Sequence, residues 1–277
     1  MAINLNLVGK SLAPVEFEYR TRDVILYALG VGAGPDELGF VYENGLQVLP
    51  TFAVIPAFPA AATSLPDLNV NPMMVVHGEQ AIRLHRIIPD EGTIRTTATV
   101  KAIYDKGSGA VVIVETNSTD RKGQPLFDAT FAFFARGEGG FGGDRGPAAP
   151  PFEIPARDPD FRADMQTLPS QALLYRLSGD LNPLHADPDF AKLAGFDRPI
   201  LHGLCTYGHA GRAVLKSACA GDPAKFESFS ARFSGTVYPG DTIITEGWRT
   251  EKGKFLIRCT TQTGAVVLSN GVATVRA

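Results

Sequence analysis

Asp180, Asn182 and His185 fall within six residues of one another, in Gly179-Asp180-Leu181-Asn182-Pro183-Leu184-His185. A carboxylate and an imidazole this close can share one water. One group takes a proton as the oxygen attacks, and a proton returns to the product. Which group performs which step does not follow from the sequence, because coupled groups titrate as a pair. Asn182 carries donors and an acceptor with which to orient that water or the acid. Pro183 keeps these residues off one regular helix, and Gly179 permits a sharp turn just ahead of the acid. Further on, His202-Gly203 opens an apolar run with helical spacing. N–H groups at a helix start lack intrahelical partners, so Gly203 offers a donor to an oxygen that gains negative charge. His202 caps, packs or lies near the site, and the sequence leaves these three open. Blander readings fit the same residues: a turn in which the aspartate satisfies local N–H groups, and Gly203 as an ordinary helix start.

The run Tyr175-Arg176-Leu177-Ser178-Gly179-Asp180-Leu181-Asn182-Pro183-Leu184-His185 resembles the hydratase 2 motif of the MaoC-like dehydratases. The likeness spans nearly the whole chain, including His77-Gly78-Glu79-Gln80, Asp105-Lys106-Gly107-Ser108-Gly109 and Gly139-Gly140-Phe141-Gly142-Gly143. It looks closest to the (R)-specific 2-enoyl-CoA hydratases of the peroxisomal multifunctional type 2 group. The resemblance implies an α+β double hot-dog fold. It also implies reversible hydration of trans-2-enoyl-CoA to (3R)-3-hydroxyacyl-CoA. Asp180 and His185 then activate the water, and the Gly203 N–H holds the thioester oxygen. By resemblance Glu43 is a further catalytic carboxylate. His77, Gly78, Lys106 and Phe233 join Asn182 and Gly203 in substrate binding. A cation at Lys106 suits a coenzyme A phosphate. No cofactor is implied, since coenzyme A enters as part of the substrate, and a homodimer is implied. Without the resemblance, His77-Gly78, Lys106 and Phe233 read as a strand, a turn and core. His209 reads as structural within its helix, and His85 has no role.

Rival functions are a hot-dog acyl-CoA thioesterase and a non-catalytic acyl-CoA binding module. Nucleophilic hydrolysis has little to work with: there is no Gly-x-Ser-x-Gly elbow and no cysteine beside the cluster with a defined base. No metal is expected, because the five histidines show no His-Glu-x-x-His pattern.

The elements that must position these residues repeat. Strand-like alternation over Val15 to Arg20 precedes a helix over Asp23 to Gly30, and a second helical run opens at Leu49-Pro50-Thr51-Phe52. Strands are expected at Val75 to Ile87, Thr93 to Tyr104, Ala110 to Thr116 and Leu126 to Ala135. Gly137 to Pro151 reads as a linker. Helices then recur at Gln171 to Ser178, Asp187 to Ala194 and Gly203 to Ala218. Strands follow at Phe226 to Phe233, Thr242 to Arg249, Lys254 to Gln262 and Ala265 to Thr274. The expected organisation is therefore a repeat over 1–136, a linker over 137–160 and a second repeat over 161–277. Ile25-Leu26-Tyr27-Ala28-Leu29 overlays Leu173-Leu174-Tyr175-Arg176-Leu177, and Leu49-Pro50-Thr51-Phe52 overlays Leu201-His202-Gly203-Leu204. On that overlay Gly32 replaces Asp180, Glu37 replaces His185 and Thr51 replaces Gly203, so only the second repeat carries the chemistry. Pro56, Pro59 and Pro66 are expected to end the first-half helix early. The small residues Ala60-Ala61-Ala62 would then line an acyl pocket in the space left. Gly30, Gly32 and Gly34 imitate a phosphate loop, but Pro35 holds the third fingerprint position and no strong strand precedes, so a turn is expected.

The 277 residues suffice for one large or two small domains, and a 44% hydrophobic content supports a core. A net charge of −3 gives no reason to expect nucleic acid as a partner. Cys205, Cys219 and Cys259 make an odd count, which fits buried thiols in a reducing compartment. No apolar run reaches the roughly 18 residues of a membrane span. The first residues lack a signal-peptide pattern and Val275-Arg276-Ala277 is not a peroxisomal tripeptide, so a cytoplasmic location is expected.

Overall fold

The computed structural model describes residues 3–148 and 152–276. The end of the expected linker, at 149–151, and the terminal residues 1, 2 and 277 lie outside the described residues.

The first half runs β1 (Val15–Tyr19), α1 (Thr21–Gly30), α2 (Leu38–Val41), α3 (Val54–Ala62), α4 (Ser64–Asp67), β2 (Val75–Leu84), β3 (Gly92–Asp105), β4 (Gly109–Thr119) and β5 (Pro125–Arg136). The second runs β6 (Phe161–Gln166), α5 (Gln171–Tyr175), α6 (Pro188–Leu193), α7 (Gly203–Ala218), β7 (Phe226–Phe233), β8 (Thr242–Glu251), β9 (Lys254–Thr261) and β10 (Val266–Val275). The strands form one ten-stranded sheet in the order β1-β3-β4-β5-β2-β7-β10-β9-β8-β6. Read outward from its centre, the sheet gives 2-5-4-3-1 on one side and 7-10-9-8-6 on the other. The two halves are thus copies of one unit, joined antiparallel along β2 and β7 from Glu79↔Arg232 to Arg83↔Ser228. Each unit wraps its sheet around its main helix, which is the double hot-dog arrangement.

Period-two burial makes the strands. In β3, Ile94, Thr96, Ala98 and Val100 are all buried while the residues between them are not. The buried Thr96 and Ser118 hydroxyls pair across β3 and β4 at 2.8 Å, which satisfies polar groups inside the sheet. Helix α7 behaves differently: every residue from Leu204 to Leu215 is buried, so it is a core helix and not a surface one. A Cβ on Gly208 or Gly211 would collide with Val31 or Thr51, so these glycines let first-half residues close onto α7.

Three expectations need correction. The prolines do not end the first-half helix early. A 3-10 turn over Pro50–Ala53 leads directly into α3, and α4 follows after Thr63. Pro56 stands in the first turn of α3, where its missing N–H has no intrahelical partner to lose. Pro59 does forfeit a bond, and burial compensates: Val54, Ala57, Ala60 and Ala61 are all 0% exposed. Ala60 and Ala61 are therefore core, and no gap behind a shortened helix exists for them to line. Secondly, the strand β6, which none of the expected elements covers, opens the second repeat directly after the 137–160 linker. Its alternation pairs with β8 from Phe161↔Gly247 to Gln166↔Thr242. Thirdly, the glycine-rich segment is docked over 139–143. The Asp105 carboxylate accepts the N–H groups of Gly140, Gly107 and Gly142, each at 2.8 Å. These amides, Gly140 foremost, hold its carboxyl below the usual range.

Candidate active site

A cleft of about 540 Å³ opens at the seam between the halves. The second half contributes Asp180, His185 and Gly203 to its wall, and the first contributes Phe58, Leu65 and His77. Gly78, Asn182 and Phe233 line it as well.

Two short 3-10 turns present the acid and the base. Arg176–Ser178 ends at Gly179, whose φ of 127° reverses the chain. Asp180 Oδ1 then accepts the Asn182 N–H at 3.1 Å. Asn182 Oδ1 in turn accepts the Leu184 N–H at 3.0 Å and caps the Pro183–His185 turn. Asn182 thus builds the turn as well as lining the cleft. His185 Nδ1 lies 2.8 Å from the Ile200 carbonyl. A carbonyl only accepts, so Nδ1 carries the hydrogen and Nε2 is left with its lone pair. Burial pushes the His185 pKa down, against the Ile200 hydrogen bond and the nearby Asp180 charge, which raise it. A neutral imidazole with a bare Nε2 is a proton acceptor.

Asp180, His185 and His202 each place one nitrogen or oxygen within 4.8 Å of the others. One bridging water spans such a gap with two hydrogen bonds of about 2.8 Å. The same trio has ligand types that a small cation accepts. However, His185 Nδ1 and His202 Nε2 already face carbonyl oxygens at 2.8 and 3.2 Å. The two rings also stack, whereas shared coordination needs in-plane lone pairs that converge. The geometry therefore suits a water better than an ion.

Gly203 is the first residue of α7, exposed at an N-terminus that no side chain caps. The Cys205 and Thr206 N–H groups turn back to the His202 carbonyl at 3.0 and 3.2 Å. Gly203 and Leu204 therefore hold the N–H groups at the open end. A Cβ on Gly203 would lie 3.2 Å from the Phe233 ring, so glycine keeps this wall of the cleft open.

His77 sits at a bulge in β2, where the register against β5 shifts between His77 and Glu79. Its Nε2 donates to the Glu79 carbonyl at 3.0 Å. Burial pushes its pKa down to about 4. Phe233 meets the His77 ring edge-on at 5.0 Å, and Phe131 and Phe133 lie at 5.5 and 5.4 Å. His77 is a neutral part of an aromatic wall, and Gly78 beside it keeps the strand thin.

Two residues implied by resemblance do not line the cleft. Glu43 is exposed on the loop after α2, so its placement gives no support to a catalytic role. Lys106 stands on the β3–β4 turn, donates to the Arg145 carbonyl and lies 5.6 Å from the Tyr104 ring centroid. The cleft has instead a cation that sequence reasoning missed, Arg136 at the end of β5. Arg136 pairs with Gly109, whose carbonyl accepts the Lys106 N–H at 2.9 Å, so both cations belong to one corner. Phe58 on α3 and Leu65 on α4 were also missed, because the prolines are expected to end the helical run before either. Of the remaining histidines, His85 pairs with Asp128 at 2.8 Å on the surface. His209 is fully buried in α7.

Residues 17–137 match the family described as the MFE-2 hydratase 2 N-terminal domain, and residues 151–271 match the MaoC-like domain. The chain is similar to a probable enoyl-CoA hydratase 2 of Dictyostelium discoideum, with 43% identity over 96% of this chain and 94% of the relative. It is 49% identical to 3-hydroxyacyl-thioester dehydratase Y of Mycobacterium tuberculosis, over 93% of this chain and 91% of the relative. A MaoC-like dehydratase structure from Phytophthora capsici superposes with a TM-score of 0.88 at 34% identity, covering 99% of this chain and 98% of that one.

Proposed function

The chain belongs to the MaoC-like, hydratase 2 family, and from that membership we infer that it is a lyase catalysing the hydration of 2-enoyl-CoA in fatty acyl-CoA metabolism. The product of the reversible reaction is the (3R)-3-hydroxyacyl-CoA. The observation that carries the mechanism is that Asp180 and His185 bring a carboxylate oxygen and a ring nitrogen within 4.8 Å of each other beside the open start of α7.

The substrate is activated by its own thioester, so no cofactor is needed in this reading. A water held between the two side chains faces the β-carbon. His185 Nε2 takes a proton from it as the oxygen–carbon bond forms, and Asp180 holds the second hydrogen and stabilises the imidazolium. The electron pair of the alkene moves toward the thioester oxygen, where the Gly203 N–H meets the developing charge. A proton returned through the same pair to the α-carbon completes the addition and restores both groups. Arg136 and Lys106 sit where coenzyme A phosphates can reach cations. Among the described residues no helix is long and apolar enough to cross a membrane. A homodimer and a cytoplasmic location accompany this reading as expectations from the sequence, to be checked by sedimentation and by imaging of the tagged protein.

The test is loss of the enoyl thioester absorbance with crotonyl-CoA and a longer 2-enoyl-CoA. A 3R-specific dehydrogenase should then reduce its coenzyme, and a 3S-specific one should not. Release of free thiol without 3-hydroxyacyl product would identify a thioesterase instead. Binding without turnover would identify a carrier module.

A further inference from the structure

One buried side chain touches every part of this machinery without facing the substrate as acid or base. His202 is 1% exposed. Its ring lies between Tyr175, at 4.9 Å, and His185, at 3.7 Å with an interplanar angle of 28°. Its Nε2 is 3.2 Å from the Asp180 carbonyl. That carbonyl can only accept, so Nε2 carries the hydrogen. Its own carbonyl receives the Cys205 and Thr206 N–H groups that begin α7. It also directly precedes Gly203, so its backbone aims the Gly203 N–H.

Building on the hydration reading above, we propose that His202 is a positioning residue that locks acid, base and oxyanion donor into one rigid unit. The stack fixes the plane of the His185 ring, so that Nδ1 stays on the Ile200 carbonyl and Nε2 stays turned to the cleft. The hydrogen bond to the Asp180 carbonyl ties the turn carrying the acid to the start of α7. Neither contact touches substrate, so the effect falls on geometry at the reacting centre, where a displacement of about 1 Å costs on the order of 100-fold in rate.

The same stack shields the back of His185 from water. His202 stays neutral there, its pKa pushed down to about 3 by burial first and by the neighbouring His185 second. Removing its ring lets water reach the buried face of His185. The burial that depresses the His185 pKa then weakens, and the value rises toward the usual 6.5 or so. The ionisable groups around the pair are Asp180, Arg176 and Tyr175 from the preceding turns, and Arg198 beside His185. His77 and Arg136 face it across the cleft from β2 and β5. None of these is altered by the substitution.

The test compares the parent enzyme with His202→Ala and His202→Gln, the latter keeping an N–H donor at similar reach. Hydration should lose about 100-fold in kcat in His202→Ala with KM within threefold. His202→Gln should recover at least tenfold of that loss. The acidic limb of the kcat profile should move to higher pH in His202→Ala. In parallel, ring-nitrogen NMR titration of His185 should show its midpoint moving up in the same variant, a readout that needs no substrate. If His202→Ala does not fold, His202→Leu fills the volume without a donor or flat face; it should show the same loss in kcat with the His185 midpoint unmoved, since water stays excluded, and a kcat within threefold of the parent in that variant overturns the inference. A folded variant with kcat within threefold of the parent and an unmoved His185 midpoint overturns the inference. A parent enzyme that fails to hydrate any enoyl-CoA overturns the functional reading instead. The His185 titration then still decides whether His202 holds that ring.

Discussion

The two halves present their equivalent loops to two clefts, and only one of them is equipped for chemistry. In the cleft at the seam, the second-half loop brings Asp180 and His185 against first-half Phe58, Leu65 and His77. In the other, of about 420 Å³, the first-half loop brings Gly32 and Glu37 against Arg212 and Lys216 of α7. Glu37 stands where His185 does in the overlay, but its carboxylate is paired with Arg212. Arg212 also donates to the Val31 carbonyl at 2.7 Å. Gly32 replaces the acid, and a Cβ there would lie 2.6 Å from buried His209. The helix starts differ in the same sense. Gly203 is exposed, while Thr51 is 1% exposed and packs on Gly211 behind a proline that has no N–H to offer. The same architecture gives a reaction site where polar groups are left facing a cleft. It gives a structural joint where those groups are paired with each other.

The sharpest way to break this contrast is to remove the acid or the base on each side. Asp180→Asn and His185→Gln should each lower kcat by about 1,000-fold or more with the fold intact, since both groups handle protons of one water. Glu37→Gln should leave kcat per folded molecule unchanged. Near-normal turnover in either second-half variant, with a native circular dichroism spectrum, would sink the mechanism.

The helix start comes next. Gly203→Pro removes an N–H while keeping a residue tolerated in the first turn of a helix. Gly203→Ala keeps the N–H and adds only the crowding against Phe233. The proline variant should fall at least 100-fold below the alanine variant in kcat, from about 3 kcal/mol of lost oxyanion stabilisation. Equal rates would leave Gly203 as a spacer.

On the other side of the comparison, Arg212→Met should destabilise the fold by about 3 kcal/mol, because it strands the Glu37 carboxylate in a part-buried site. Arg212→Met combined with Glu37→Leu should recover most of that loss, since a well-packed apolar pair replaces a buried ionic one at little cost. Urea unfolding midpoints read both. A double variant no more stable than the single one would mean that the first-half loop needs the ion pair for its shape.

Much of this was legible in the sequence, and the gaps have physical causes. The α7 span and the β7 span were readable to the residue, because a proline-free apolar run marks the helix and the apolar–polar alternation from Phe229 to Phe233 marks the strand. Asp180, His185 and Gly203 were visible through a dense motif of polar residues. From the first half, His77 is visible through the resemblance alone, and Phe58 and Arg136 are not visible at all, since they reach the cleft only through the β2–β7 seam. Helix α3 is hidden from local propensity, which ends it at the prolines, because tertiary packing overrides Pro59. Glu43 is the converse case: a short local likeness assigns it a catalytic role, and it stands exposed on the loop after α2 and does not line the cleft. The sequence leaves His202 three roles because stacking on His185 is a contact between separate segments, which no local pattern encodes.

The last contrast concerns the apolar contribution of the first half. With α3 continuous and α4 following it, these two helices offer an acyl chain Phe58 and Leu65, both half-buried on the cleft wall beside Val75, Val76 and Phe133 of the sheet. Ala60 and Ala61 point into the core and are 0% exposed. Each methylene that leaves water contributes about 0.8 kcal/mol, or roughly fourfold in affinity. Medium and long 2-enoyl-CoA should therefore exceed crotonyl-CoA in kcat/KM. Leu65→Trp places bulk where the distal carbons would lie, and should cut kcat/KM for a ten-carbon substrate by about tenfold, the equivalent of one or two methylenes. Crotonyl-CoA, too short to reach it, should change by less than about twofold on the same argument. Ala61→Trp should behave differently, losing stability through overpacking with no change in chain-length preference per folded molecule. Equal losses for both substrates in Leu65→Trp would move the acyl chain to another wall of the cleft and leave α4 as scaffold.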